Sequence, residues 1–185
     1  TQPDVVINLV ALTDVDKCEN SPDLADMLNR QVVCNVVKAL EHTNIHLIHI
    51  STDQVYPDDG APHKEENTGP VNAYGATKLK GEDEALKHSK TLVLRTNIFG
   101  PSFTKGRQSL SDFFVKSLRE QNPIKLFTDV MFSPLQMATF SRILVACVHK
   151  DVVGVYNLAS RGGLSKADFA ALMAKELGSS LARSE

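Results

Sequence analysis

The sequence predicts an α/β fold in which helices cover a parallel sheet, and three observations carry that prediction. Short apolar, β-branched runs alternate with segments of helical period along the chain. The apolar runs are close to continuous, as in strands covered on both faces. Their spacing suits right-handed β-α-β crossovers.

Taken in order, residues 4–11 (Asp-Val-Val-Ile-Asn-Leu-Val-Ala) read as the first buried strand. A helix start follows at Ser21-Pro22-Asp23: a capping hydroxyl, a proline in the first turn and an acid near the dipole's positive end. That helix is predicted to run to about Glu41, with Leu24, Met27, Leu28, Val32, Val36 and Leu40 on one face. Residues 45–50 read as the next strand, and 57–70, rich in Pro, Gly, Asp, Glu and Asn, as a loop. A helix is predicted over 72–88 and a short strand over 91–95. Beyond Gly100 the reading is a helix near 111–120, a strand at 123–127, a helix at 135–150 and a strand at 154–158. A last helix begins at Ser165 and stops at Gly178. There is no internal repeat and no low-complexity tract.

At 185 residues the chain is long enough to bury one sizeable core. Hydrophobic residues make up 42% and charged residues 23%, and the net charge of −2 gives no electrostatic reason to expect nucleic acid or an anionic membrane as partner. No apolar run approaches the ~20 residues that span a bilayer. The three cysteines, Cys18, Cys34 and Cys147, are odd in number and far apart, which argues against a disulfide framework and for a reducing, cytoplasmic setting.

The chemistry concentrates in Tyr74-Gly-Ala-Thr-Lys78, with Ser51-Thr52-Asp53 upstream. Four helical residues rise about 6 Å, so Tyr74 and Lys78 share a face one turn apart. Thr52 lies just past a predicted strand, where open α/β sheets place their ligands. A strand-end hydroxyl and a Tyr–Lys pair on the next helix suit proton transfer at a carbonyl. The phenol moves the proton, the ammonium lowers the phenol's pKa and the threonine holds the carbonyl oxygen. Alone, Tyr-x-x-x-Lys is a weak signal. Gly75, which removes a side chain beside Tyr74, and the strand-end Ser-Thr-Asp strengthen it.

Four runs then fall in a telling order: Asn8-Leu-Val-Ala-Leu-Thr-Asp-Val-Asp-Lys-Cys-Glu19, Ile50-Ser-Thr-Asp-Gln-Val-Tyr56, Tyr74 to Glu82, and Leu94-Arg-Thr-Asn-Ile-Phe-Gly100. Together they resemble the extended short-chain dehydrogenases/reductases, and among them the dTDP-4-dehydrorhamnose reductase branch. The resemblance implies a doubly wound, Rossmann-like parallel sheet. Residues 1–100 would form its later part, and 101–185 a mixed segment contributing part of a small substrate lobe. It implies a reductase of a 4-keto nucleotide-activated deoxysugar, as in dTDP-rhamnose biosynthesis, using NADPH or NADH, with a homodimer allowed and no metal. Thr52, Tyr74 and Lys78 match the catalytic trio. Val10, Ala11, Tyr74, Lys78, Thr96, Asn97 and Ile98 match cofactor-lining positions, and Thr52, Asp53 and Asn97 face the substrate. Leu9 and Val10 depart from the small alanines usual there, and the 95–100 loop is one residue shorter. The rivals are an epimerase or dehydratase of the same family and a non-catalytic, cofactor-binding regulatory subunit. Gln54 stands where dehydratases carry an acid.

Other features read both ways. Asp53 either tunes the site or serves a turn, and Asn29 is either functional or a helix-packing polar residue. His42, His46, His49 and His63 lack metal spacing and read as structural. Gly162-Gly163 reads as a turn, and Lys105-Gly-Arg107 as a diphosphate contact or a solvated loop. None of the ten glycines forms the Gly-x-Gly-x-x-Gly turn of a dinucleotide fold, and the strand at Asp4 matches the family's fourth. The expectation is therefore that these residues belong to a longer protein.

Overall fold

The computed structural model describes residues 3–60 and 62–180. In chain order the elements are β1 (Val5–Asn8), α1 (Val15–Asn20), α2 (Pro22–Asp26), a π-helical turn (Met27–Gln31), α3 (Val32–Ala39) and β2 (His46–Ser51). A 3₁₀ turn (Asp53–Val55), α4 (Ala73–Ala85), β3 (Thr91–Thr96), β4 (Ile98–Phe99) and α5 (Leu110–Glu120) follow. The chain ends with β5 (Met131–Phe132), β6 (Leu135–Gln136), α6 (Met137–His149), β7 (Gly154–Leu158), β8 (Leu164–Ser165) and α7 (Lys166–Glu176). These divide into two compact units. The first holds the residues up to Thr96 together with Ile143–Leu158, and the second holds Asn97–Arg142 and the residues from Ala159.

The first unit is built on a parallel sheet in the order β1-β2-β3-β7. The registers are Val5 beside His46, Leu47 beside Thr91 and Leu92 beside Gly154. Every residue of β3 is buried, and all of β2 but Ile50, so neither strand alternates buried with exposed positions; the polar residues they bury include His46, His49, Ser51 and Arg95, each hydrogen-bonded. Against one face, Val33, Val37 and Leu40 from the α3 side and Ala85 of α4 pack on Leu47 and Val93. Burying each such valine or leucine contributes about 1.5–3 kcal/mol.

The single helix expected from Ser21 to about Glu41 is three stretches, with a π turn in the middle. The expected cap is also corrected. Ser21 sits at φ −144° and its side chain makes no capping bond, so Pro22, with φ preset by its ring, starts the helix. α1 is an additional helix, not among the elements expected from the sequence. Its cap is Asp14, whose carboxylate accepts from the Lys17 amide at 2.9 Å.

The second unit is held by short pairings and an aromatic core. β4 pairs with β6 in parallel and β5 with β8 antiparallel. Phe114, Leu118, Ile124, Phe132 and Phe169 are buried together. The Phe169 ring meets Phe99 and Phe132 edge-on, with centroids 5.1 and 5.4 Å away. Ser109 with Asp112 and Ser165 with Asp168 form capping boxes, which hold both carboxyls below their usual range. α7 ends ahead of Gly178, at φ +61°, as the glycine predicted.

The expected strand at 123–127 does not form. Ile124 is buried in this core, but the segment pairs with no strand among the described residues. Its apolar residues serve the core one at a time.

Candidate active site

Two local devices bring the predicted trio together. At the end of β2, Thr52 is extended (φ −137°, ψ 157°) and caps the 3₁₀ turn, its hydroxyl accepting from the Gln54 amide at 3.2 Å. Asn72 caps α4, accepting from the Gly75 amide at 2.7 Å, and its amide group donates to the Gln54 side chain at 3.0 Å. Gly75 makes this approach feasible, because a β-carbon there would overlap the Gln54 carbonyl oxygen. Glu19, at the end of α1, accepts from the Ala73 amide at 2.6 Å and places a negative charge at the N-terminus of α4.

Tyr74 then comes close enough to Thr52 for the threonine hydroxyl to act on the phenol, and both side chains are buried. Lys78, one turn on and only 2% exposed, donates to the Ile50 carbonyl at 2.7 Å. Its Nζ also lies 3.4 Å from His49 Nε2. Burial pushes the Lys78 ammonium down to about 8, opposed in part by the Glu82 charge. Tyr74 differs from the sequence expectation, which had Lys78 lowering the phenol. Burial raises it, the Thr52 hydroxyl offsets part of the rise, and the charges of Asp53 and Cys18 add to it. Desolvation is the largest effect, and the phenol is held in its protonated form.

Behind the trio lies a buried network that the sequence reading missed. Arg95, on β3, donates from Nε and Nη2 to the Glu82 carboxylate at 2.6–3.1 Å. Its Nη1 donates to the Tyr56 hydroxyl at 2.9 Å and the Glu65 carbonyl at 2.6 Å. Ser51 also donates to Glu82. Tyr56 donates to the Asn157 side chain at 2.5 Å, Asn157 donates to the His63 carbonyl at 3.1 Å, and the His63 ring stacks on Tyr56. The polar loop after Val55 is thereby fastened to the ends of β3 and β7. A signal for Glu82 existed, because Tyr74, Lys78 and Glu82 repeat at four-residue spacing along one face of α4.

Asn29 is fully buried in the π turn. Its side chain bonds the Leu12 amide and carbonyl (2.7 and 3.2 Å) and the Thr77 hydroxyl (3.0 Å), clamping the stretch after β1 to α4. Gly81 allows α4 to close on this turn, since a β-carbon there would overlap the Asn29 carbonyl oxygen. The packing role of Asn29 is therefore explicit.

The remaining expected residues are placed as follows. Asp53 opens the 3₁₀ turn beside Thr52, whose hydroxyl lies 3.3 Å from its carboxylate. Val10 and Ala11 follow β1, where Leu9 and Val10 are exposed, and the Val10 amide donates to Asn8. Thr96 ends β3 with its hydroxyl buried and without a hydrogen-bond partner. Asn97 and Ile98 belong to the second unit, where the Asn97 carbonyl accepts from Leu135 and Ile98 pairs with the same residue. A groove of about 590 Å³ on the outside of α2, the π turn and α4 includes Thr77 but none of the trio.

His46 bonds the Val152 carbonyl at 2.9 Å. Among the described residues no three His, Cys, Asp or Glu side chains gather as metal ligands. Cys18, Cys34 and Cys147 are free thiols, and no helix among the described residues is long and apolar enough to cross a membrane.

A family model described as the RmlD substrate binding domain matches residues 1–184. The chain is 35% identical to the dTDP-4-dehydrorhamnose reductase of Salmonella typhimurium strain LT2, over all of this chain and 64% of the relative. It is 34% identical to that of Shigella flexneri, over 95% of this chain and 60% of the relative. Among solved structures, dTDP-4-dehydrorhamnose reductase from Bacillus anthracis in complex with NADP superposes with a TM-score of 0.88 at 27% identity, covering 97% of this chain and 64% of that one. The chain thus spans 60–64% of the length of these relatives.

Proposed function

The chain belongs to the RmlD substrate binding domain family, and from that premise we propose that it carries the catalytic centre of an NAD(P)H-dependent reductase. The substrate of this reading is a nucleotide-activated deoxysugar bearing a 4-keto group, as in dTDP-4-dehydrorhamnose. The observation that carries it is the buried convergence of Thr52, Tyr74 and Lys78 at the end of β2, with Lys78 on the Ile50 carbonyl and the Thr52 hydroxyl acting on the phenol.

The residues present suit the nicotinamide end of a dinucleotide. Lys78 would hold the ribose, and the Thr96 hydroxyl, buried without a partner, is a polar group available to the same cofactor. The exposed Leu9 and Val10 offer an apolar surface beneath it. When bound, the reduced nicotinamide supplies the hydride.

The protein's own part is acid catalysis. The Thr52 hydroxyl holds the carbonyl oxygen, and Tyr74 delivers its proton to that oxygen as charge develops there. The raised phenol pKa serves this direction, because the acid must be protonated before each turnover. Lys78, cationic below about pH 8, stabilises the phenolate left behind. Gln54, tied to Thr52 and Asn72, offers no acid for dehydration. The three free cysteines support a cytoplasmic setting.

The test is oxidation of NADPH or NADH by the intact protein against a panel of 4-keto nucleotide-sugars. A reductase consumes cofactor in proportion to substrate; an epimerase interconverts sugars without net consumption, and a regulatory subunit does neither. Tyr74→Phe is expected to lower kcat by at least about 10²-fold with cofactor affinity nearly unchanged. Near wild-type turnover by that variant would end this reading.

A further inference from the structure

Beneath Lys78 runs a chain of hydrogen bonds that the catalytic reading does not use. The Val10 amide donates to Asn8 Oδ1 at 3.2 Å, which turns the Asn8 amide nitrogen toward His49, 3.1 Å from Nδ1. An amide nitrogen has only protons to offer, so Nδ1 is the bare ring nitrogen. His49 is fully buried, and burial together with the neighbouring lysine charge holds it well below its ordinary pKa. The ring is therefore neutral, and its single proton is on Nε2, the atom 3.4 Å from Lys78 Nζ. Against an ammonium this sets proton against proton. A neutral amine instead accepts from Nε2–H while donating to the Ile50 carbonyl.

We propose that Asn8 and His49 are positioning residues that couple the protonation state of Lys78 to the backbone amide of Val10 through the tautomer of the buried imidazole. When Lys78 takes up a proton from solvent, Nε2 must become an acceptor, and the ring proton moves to Nδ1. Nδ1–H then needs an acceptor, so the Asn8 side chain turns its oxygen to His49, and the Val10 amide loses its partner. No other bond forms or breaks. The ring stays neutral throughout, and one proton is gained at Nζ.

Among the described residues, the charged and titratable groups around Lys78 come from three elements. On α4 they are Tyr74 and Glu82; on β2, His49; on β3, Arg95, which is paired with Glu82. Asp53 acts on Tyr74. Glu82 favours the ammonium and burial opposes it, which brings the lysine to about 8 and the tautomer exchange into an accessible range. That the coupled lysine is a catalytic one rests on the reductase reading. The test below uses neither substrate nor cofactor, so its failure is distinguishable from failure of the turnover assay.

Histidine is labelled with ¹⁵N in the intact protein, and long-range ¹H–¹⁵N correlations are followed from about pH 6 to about pH 10, since protonated and bare ring nitrogens differ widely in shift. Signals missing from His49→Gln identify the residue. The expected result is Nε2–H at high pH, converting to Nδ1–H with a midpoint of about 8. The conversion is expected to vanish in Lys78→Met. Asn8→Asp, whose two oxygens accept from Val10 and from Nδ1–H at once, should hold Nδ1–H at every pH. A tautomer that stays fixed across the range in the wild type overturns the proposal, as does a conversion that persists in Lys78→Met. Those two proteins decide the matter even if Asn8→Asp does not fold.

Discussion

Replacing Lys78 by methionine should stabilise the protein near neutral pH, and the gain should disappear in alkali. Methionine matches the length of the stem but brings no charge into the 2%-exposed position. The folded lysine titrates at about 8 against an ordinary 10.5, and a difference of that size is worth about 3 kcal/mol. The sign follows from proton counts. Between about pH 8 and 10.5 the unfolded chain holds a proton that the folded chain lacks, so wild-type stability rises with pH through that window. Below pH 8 both states are protonated and the whole penalty is present. Against this gain, the variant leaves the Ile50 carbonyl without its donor, a loss of about 1 kcal/mol. The expected net effect is about 2 kcal/mol in favour of Lys78→Met at pH 7, reversing to about 1 kcal/mol against it above pH 10.5. Urea unfolding of both proteins in the intact chain, followed by circular dichroism at a series of pH values, measures the difference, in which titrations common to both cancel. A difference that is flat with pH, or that grows with it in the variant's favour, would refute the reasoning.

Two further outcomes are expected. Arg95→Leu strands the Glu82 carboxylate in the interior and should cost about 3–5 kcal/mol. The double variant with Glu82→Leu should recover most of that loss in the same unfolding assay, and simple addition of the two single effects would show that the charges are not coupled. Gly75→Ala forces its β-carbon against the Gln54 carbonyl. It should cost about 1–3 kcal/mol and weaken turnover more than cofactor binding, since Tyr74 would be displaced from Thr52; unchanged kinetics would count against that positioning role.

What could be read from the sequence was what lies close together in it. The spacing of Tyr74 and Lys78 announced a shared helix face, and the strand-end position of Thr52 announced the meeting point. Continuing the same period by one turn would have found Glu82, but its partner Arg95 comes from another strand and has no local signature. Asn8 and His49 face each other only because they are register partners in adjacent parallel strands, and no local pattern fixes that register. The two-residue strands β4, β5, β6 and β8 are shorter than any period that could reveal them, whereas the apolar run at 123–127 had the composition of a strand without a neighbour to pair with. The direction in which the Tyr74 phenol moves was misjudged because spacing reports which charge is near and says nothing of how much water is removed.

The return of β7 to the first sheet has a consequence for the order of assembly. Residues 97–142 belong to the second unit and are inserted between β3 and β7, so the β3–β7 pairing closes a long loop. β1, β2 and β3 are complete once Thr96 has left the ribosome, but Asn157, which pins Tyr56 and His63, is synthesised about sixty residues later. The strand end that carries Thr52 is therefore laid early, and the loop beside it is locked late. Pulse-labelled hydrogen exchange during refolding should show amides of β2 protected ahead of those of β7. Simultaneous protection would mean that the sheet closes in one step and that no nascent form has an open loop.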